Sequence, residues 1–187
     1  MGYLIEEGRI LNQCGLFQQD AKNVPLCAAL GILKAEHTPL NEAKANLNSM
    51  ALQCLEETTE GEYADALLAL RKEVQLFFDS LKVHSEKEEG ILFPMMHKYI
   101  GKDSGPLVVM EYEHDEAKRN IVSFLEGTDF IPENISEEKF QKLVSHVREA
   151  YEILTAHFMK EEMVLFPMAE QYLTLEEKEE LLLKVKS

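Results

Sequence analysis

Residues that interrupt helices are scarce in this chain, as are cysteines. Its 187 residues include 6 prolines and 9 glycines, the two residue types least favourable inside a helix, so long helices are allowed. The three cysteines, Cys14, Cys27 and Cys54, are odd in number, and their spacing matches no zinc or redox motif. We therefore expect reduced thiols and a cytoplasmic protein.

The distribution of charged and apolar residues predicts neither an export signal nor a membrane-spanning segment. Residues 1–10 carry Glu6 and Glu7 and lack a basic stretch followed by an apolar one. The longest apolar stretch, at about residues 25–33, is far shorter than the roughly 20 residues that cross a bilayer. We expect no membrane partner.

Basic residues are few relative to acidic ones. The chain has 19 Lys and Arg against 34 Asp and Glu, for a formal net charge of −15. This balance argues against nucleic-acid binding, which depends on neutralising phosphates, and against docking on anionic lipid. It favours metal cations or a basic partner. With 45% hydrophobic and 28% charged residues, the composition is typical of a folded globular domain.

The hydrophobic periodicity predicts an all-α protein. Four long helices are predicted at about residues 24–57, 59–99, 106–126 and 136–172, and a capping box at Thr174 and Glu177 opens a short fifth helix. Such a pattern favours an antiparallel up-down-up-down four-helix bundle. We expect a lead-in over residues 1–23, the bundle over 24–173, and a C-terminal helix over 174–187 that packs on the bundle or extends from it.

An internal repeat is the most informative feature of the sequence. Residues 84–94 and 157–167 are identical at seven of eleven positions, sharing His, Lys, Glu, Glu, Leu, Phe and Pro. Each copy begins with a histidine and has a glutamate four residues later: His84 with Glu88, and His157 with Glu161. A further histidine precedes each copy, His37 by 47 residues and His114 by 43. The chain therefore contains two helical hairpins of the same plan.

The spacing within the repeat predicts a buried polar cluster. Residues four apart lie on one face of a helix, so each His-x-x-x-Glu pair points one way. His84, His114 and His157 lie in the middle of apolar stripes. An unpaired buried carboxylate is strongly unfavourable, and a pair of metal cations would relieve the conflict. The carboxylates of Glu88 and Glu161 are the natural bridges between two metal ions.

The predicted centre gives each metal four protein ligands, namely two imidazoles and one oxygen of each bridging carboxylate. The predicted ligands are His37, His84, Glu88, His114, His157 and Glu161. A bridging water, hydroxide or oxo group makes five, which leaves an exchangeable sixth position for a small ligand. We expect Glu89 and Glu162 to be solvated or to lie behind the ligands.

These residues resemble the hemerythrin family, whose pattern is His, His-x-x-x-Glu, His, and His-x-x-x-Glu or Asp. The Glu-Glu-x-x-Leu-Phe-Pro tails are also typical of it, and the resemblance covers roughly residues 24–172. It implies a four-helix bundle with two non-haem iron ions bridged by carboxylates and an oxo or hydroxo group; zinc or manganese would also suit these ligands.

One position departs from the oxygen-carrying members of the family. They place a second histidine four residues after the third-helix histidine, where this chain has Lys118. The remaining set of four His and two Glu is closest to the branch that repairs iron centres under nitric-oxide and oxidative stress. Either Glu111 or a solvent molecule would be a seventh ligand.

The leading functional hypothesis is a di-iron protein that binds O2, NO or peroxide in sensing, scavenging or iron-centre repair. A ferritin- or rubrerythrin-like oxidase or peroxidase is an alternative, but that class shows two Glu-x-x-His motifs and this chain has one, from Glu111 to His114. A second alternative is a metal-dependent interaction module that offers its acidic face or C-terminal helix to a protein partner. Whether the protein is an enzyme stays open at this point.

Overall fold

All regular structure in the described part of the chain is helical. The computed structural model describes residues 25–102 and 105–186. Its α-helices are α1 (Ala28–Glu57), α2 (Tyr63–Lys87), α3 (Phe93–Ile100), α4 (Pro106–Gly127), α5 (Glu137–Lys160), α6 (Phe166–Tyr172) and α7 (Leu175–Val185). Two π-helical turns, π1 (Glu88–Leu92) and π2 (Glu161–Leu165), join α2 to α3 and α5 to α6. The all-α prediction is confirmed for these residues, whereas the predicted lead-in 1–23 and Cys14 lie outside them.

Side-chain caps mark the starts of two helices. The hydroxyl of Ser136 accepts a hydrogen bond from the backbone N–H of Lys139 and caps α5. The predicted capping box of Thr174 and Glu177 is present at the start of α7. Thr59 and Glu62 have the sequence spacing of a capping box too, but the box is incomplete, because the hydroxyl of Thr59 donates to the Glu62 carboxylate instead of accepting from the backbone.

The first helix begins later than the sequence predicts. The predicted helix at about residues 24–57 would place Pro25 in its first turn, but α1 starts at Ala28 and Cys27 has an extended backbone. The reason is a contact with α6: the backbone N–H of Cys27 donates to the Glu170 carboxylate at 2.5 Å. The Glu170 carboxylate thus satisfies the N–H of the residue that directly precedes α1, as a capping carboxylate does.

The Leu-Phe-Pro ends of the repeat do not stop the helices. Pro94 and Pro167 lie in the first turns of α3 and α6, directly after the π turns. A proline inside a helix lacks an N–H and clashes with the carbonyl four residues earlier. A π turn contains one extra residue, and it therefore widens the helix where that clash would occur. The first residue of each widened turn is Glu88 or Glu161.

The apolar core is divided into two clusters. The large cluster includes Leu70, Phe77, Phe124, Phe140 and Leu154. The small cluster includes Leu33, Phe93, Met110, Phe166 and Leu181. Residues of α1, α2, α4 and α5 contribute to the large cluster, and these four helices pack on one another.

A polar layer lies between the two clusters in each long helix. Along α1 the order is Leu33 of the small cluster, His37, then Leu40 of the large cluster. Along α2 and π1 it is Leu81 of the large cluster, then His84 and Glu88, and then the small cluster. The order in α4 follows that of α1, and the order in α5 follows that of α2. The repeat thus places the same three polar residues of each hairpin, two histidines and one glutamate, at the same level of the core.

The C-terminal helix closes the end of the small cluster. Helix α7 packs against α1 and π1, and its Leu181 and Val185 side chains are buried. The hydroxyl of Tyr99 donates to the Glu177 carboxylate at 2.6 Å, which ties α7 to α3. Among the described residues, no helix is both long enough and apolar enough to span a bilayer.

We expect the Leu181→Ala substitution to lower the free energy of unfolding of the metal-free protein by about 2–5 kcal/mol, because it leaves a cavity in the small cluster. Urea denaturation followed by circular dichroism measures the change. The matched control is Leu183→Ala on the same helix, since Leu183 is 74% exposed and its truncation should change stability by less than about 0.5 kcal/mol. Equal effects of the two substitutions would show that α7 is not docked as described.

Candidate metal centre

All six predicted ligands converge in the polar layer. Each is buried, with at most 4% of its surface exposed. They form two groups in which one potential ligand atom from each residue lies within 4.8 Å of the others. The first group is His37, His84, Glu88 and Glu161; the second is Glu88, His114, His157 and Glu161. The two glutamates are shared, so the geometry suits two adjacent metal ions with two carboxylate bridges.

The internal repeat is visible in the way the groups are composed. The first hairpin supplies both imidazoles of one group, and the second hairpin supplies both imidazoles of the other. Glu161 faces one histidine of each group, with contacts of 3.2 Å to Nε2 of His37 and 3.0 Å to Nε2 of His157. Glu88 does the same at 3.4 Å from His84 and 3.7 Å from His114. Each carboxylate is therefore positioned between the two groups.

A second ring of carboxylates surrounds the four imidazoles. Each histidine Nδ1 contacts one glutamate oxygen: His37 with Glu162 at 2.9 Å, His84 with Glu36 at 2.9 Å, His114 with Glu89 at 2.5 Å, and His157 with Glu113 at 3.2 Å. These four glutamates are called the outer carboxylates below. An ionised carboxylate can only accept a hydrogen bond, so each Nδ1 carries the proton and donates it outward.

The outer carboxylates thereby fix the tautomers of the four histidines among the predicted ligands. With the proton on Nδ1, each neutral ring presents a bare Nε2 lone pair to the interior. The two Nε2 atoms of His37 and His84 are 3.2 Å apart, and those of His114 and His157 are 2.6 Å apart. Two lone pairs at such distances repel unless a proton or a cation lies between them.

The carboxylates of Glu88 and Glu161, called the inner carboxylates below, are also acceptors without a donor. All four oxygens of Glu88 and Glu161 are buried without a hydrogen-bond partner, although buried polar atoms are almost always satisfied. Four imidazole nitrogens and four carboxylate oxygens therefore point at one interior space, which offers them no donor. This donor set fits divalent or trivalent transition metals, and imidazole with carboxylate suits iron, zinc or manganese.

In the metal-free protein the pKa values of the two inner carboxylates are shifted in opposite directions. Burial and the nearby charge of Glu161 hold the pKa of Glu88 well above its usual range. Burial also acts to raise the pKa of Glu161, but the electrostatic interaction with the imidazoles of His157 and His37, 3.0 and 3.2 Å away, outweighs it and lowers that pKa. Two like charges buried so close together are unfavourable, and a cation between them would remove that cost.

Lysines neutralise the outer carboxylates. The Nζ of Lys118 lies 2.5 and 2.8 Å from the two oxygens of Glu89, so Lys118 supports an outer carboxylate and is not a ligand. Burial raises the pKa of Glu89, but hydrogen bonds and charge from His114 and Lys118 lower it to about 2. Lys34, Lys87 and Lys160 pair with Glu162, Glu36 and Glu113 in the same way.

Some of these roles were not predicted from the sequence. Glu89 and Glu162 were expected either in solvent or behind the ligands, and they lie behind them. The roles of Glu36 and Glu113 were missed, although the repeated Glu-His dipeptide was a usable signal. Glu111, one of two suggested seventh ligands, lies outside both groups: its side chain is 41% exposed and 3.4 Å from Nε2 of His97.

The chain matches one protein-family model over most of its length. The model describes the hemerythrin HHE cation binding domain and matches residues 28–169. No solved structure gives a significant match.

Curated relatives with similar sequences carry the name iron-sulfur cluster repair protein YtfE. That of Pectobacterium atrosepticum is 30% identical over 154 residues, covering 81% of this chain and 69% of the relative. The proteins of Pectobacterium carotovorum and Dickeya chrysanthemi are 32% and 34% identical over 115 and 104 residues. The alignment covers about half of the length of these last two, 52% and 47%.

The family match and the convergence of the repeated histidines and glutamates lead to the same assignment. The match spans α1 to α6, which carry all six predicted ligands. The chain belongs to the hemerythrin HHE cation-binding domain family.

Proposed function

We propose that this chain binds two iron ions in the polar layer and uses them in the repair of damaged iron–sulfur centres. The observation that carries the proposal is a set of eight inward-facing atoms, four imidazole nitrogens and four carboxylate oxygens. These potential metal ligands are offered no hydrogen by any neighbouring group among the described residues. Iron is favoured over zinc and manganese because the chain belongs to the hemerythrin family and its relatives bear the name of iron–sulfur cluster repair proteins.

The proposed arrangement is an up-down-up-down four-helix bundle around this centre. The alternating order of large cluster, polar layer and small cluster along the four long helices supports it. His37 and His84 would hold one iron, His114 and His157 the other, and Glu88 and Glu161 would bridge them. The outer carboxylates keep each imidazole neutral and oriented, as carboxylates behind metal-bound histidines commonly do.

The exchangeable positions of the centre are the proposed functional ones. The side chains supply four ligands to each ion, and solvent-derived groups would complete the coordination. Bound iron would supply redox chemistry and a coordination position for O2, NO or peroxide. The chain's own part is to hold the imidazole tautomers and to exclude water, because the apolar clusters enclose the centre from both sides.

Repair is favoured over iron oxidation of the ferritin type. Carboxylate-rich centres of that class take a Glu from each of two helices and a Glu-x-x-His motif from each of the other two. Here four imidazoles and two carboxylates converge. The damaged iron–sulfur centre of another protein is the proposed target, and the protein partner that carries it is part of the proposal.

The first expected outcome is a stoichiometry of about two irons per chain after anaerobic loading with Fe(II). Elemental analysis and the near-ultraviolet spectrum of the oxidised protein measure it. The double substitution Glu88→Gln and Glu161→Gln should reduce bound iron to below one per chain, because amides cannot supply the bridging charge. Glu86→Gln is the control, since Glu86 is on the surface beside Lys82. Unchanged iron in the double variant would refute the bridging role.

The outer carboxylates give a second expectation. Glu89→Gln should weaken iron binding about 10- to 100-fold, the range found when groups behind metal-bound histidines are changed, because the His114 imidazole loses its charged partner. Competition with a chromophoric chelator measures the affinity. Glu86→Gln again serves as the control, and affinity equal to wild type in both variants would remove the positioning role.

The third expectation concerns repair itself. The iron-loaded protein should restore activity to a purified [4Fe–4S] dehydratase that nitric oxide or peroxide has damaged, at a rate several times that of free Fe(II). The Glu88→Gln, Glu161→Gln double variant should give only the free-iron rate. Recovery that does not depend on the centre would leave the di-iron assignment intact and refute repair.

A further inference from the structure

A buried lysine lies in the core next to the candidate metal centre. Lys44 in α1 is 4% exposed, although lysine is almost never fully buried without a partner. Within the described part of the chain, its ammonium makes no ion pair and no hydrogen bond. Burial lowers the pKa of Lys44 to about 8, against the opposing charge of Glu162. A lysine in this position is therefore costly for stability.

The side chain lines a small cavity between the four long helices. Lys44, Val74, Ile121 and Val147 contribute one wall each from α1, α2, α4 and α5. The cavity has a volume of about 10 Å³ for the centre of a water-sized sphere, which is room for about one water molecule. Lys44 is its only charged lining residue.

One aromatic ring separates Lys44 from a predicted ligand. Helical side chains tilt toward the helix N-terminus, so Lys44, two turns after His37, reaches back toward it. Its Nζ lies 4.7 Å from the ring centroid of Phe158. The Phe158 ring stacks on the His37 imidazole, with centroids 4.4 Å apart and planes at 15°.

Phe158 also borders histidines of both groups. Its centroid is 5.8 Å from that of His84 and 5.9 Å from that of His157. The ring therefore covers the centre on the side of the large cluster, and the Lys44 ammonium lies against this cover. The Phe158 side chain that separates them is buried, so a charge at this position is screened less than a charge in open water.

This feature breaks the internal repeat. The position seven residues after the first histidine of each hairpin is Lys44 in one and Ile121 in the other. The position after the second histidine is Ser85 in one and Phe158 in the other. Both hairpins supply the same predicted ligands, although only the first has the lysine and only the second has the phenylalanine. An isoleucine fills the core position in the second hairpin that corresponds to Lys44. The ammonium is therefore not needed to build the centre.

We propose that Lys44 is a specificity-determining residue that raises the affinity of the metal centre for small inorganic anions over neutral diatomic ligands. The inference rests on the proposed di-iron function. An anion at an exchangeable position gains the attraction of a weakly screened positive charge, whereas a neutral molecule gains almost none. The ammonium faces the rings of Phe158 and Tyr151, 4.7 and 5.9 Å from their centroids, and these cation–π contacts partly offset the cost of burying its charge.

Azide and nitric oxide are suitable probes, the first an anion and the second neutral. Azide is titrated into the oxidised iron-loaded protein and nitric oxide into the reduced one, each followed by absorbance. Lys44→Met should weaken azide binding about tenfold, the order expected for one nearby charge, and change nitric-oxide binding less than twofold. Lys44→Arg, which keeps the charge, should retain most of the azide affinity. Lys82→Met is the matched control, because Lys82 is 63% exposed.

Stability of the metal-free protein separates this role from a structural one. Replacing a buried unpaired charge by an apolar side chain of similar volume removes a desolvation cost, so Lys44→Met should raise the midpoint of thermal unfolding by a few degrees. A structural lysine would lower it. Lys44→Gln is a second neutral variant and should show the same loss of azide affinity.

Each other result overturns the inference. Azide affinity equal to wild type in a Lys44→Met protein that holds two irons would refute it, as would an equal loss in Lys82→Met. Failure of both neutral variants to fold or to load iron would show that Lys44 is structural. A wild-type chain that binds no iron would overturn the proposed function as well, and iron content is therefore measured first.

Discussion

Repulsion among lone pairs in a dry layer is the constraint on which the rest of the structure depends. Two apolar clusters exclude water from above and below, and the outer carboxylates take every available imidazole proton. What remains in the middle is acceptors only. Such an interior is tolerable when cations occupy it, and the family to which the chain belongs is named for cation binding.

Much of this organisation was readable in the sequence, because a helix converts spacing into direction. The repeated His-x-x-x-Glu on apolar stripes predicted six convergent side chains, and all six meet. The central position of Glu88 and Glu161 followed from their spacing, since each lies four residues after a histidine on such a stripe. The helical class followed from the same periodicity.

Other features depend on contacts between distant segments, which periodicity does not encode. The predicted helices at 59–99 and 136–172 run through Pro94 and Pro167, but periodicity gave no sign of the π turns that precede these prolines. The start of α1 is set by Glu170, more than 140 residues away. The contact between Glu36 and His84 joins α1 to α2. Lys44 carries a charge, and only the packing of the neighbouring helices shows that it is buried.

The two hairpins depend on each other, because each contributes side chains to the group of histidines that the other supplies. Neither hairpin can saturate an ion alone, since each holds two imidazoles but only one of the two shared carboxylates. Outer carboxylates also cross over, with Glu162 orienting His37 and Glu89 orienting His114. The shared polar layer therefore joins the two hairpins, and a change that disrupts it should loosen both hairpins together and not one at a time.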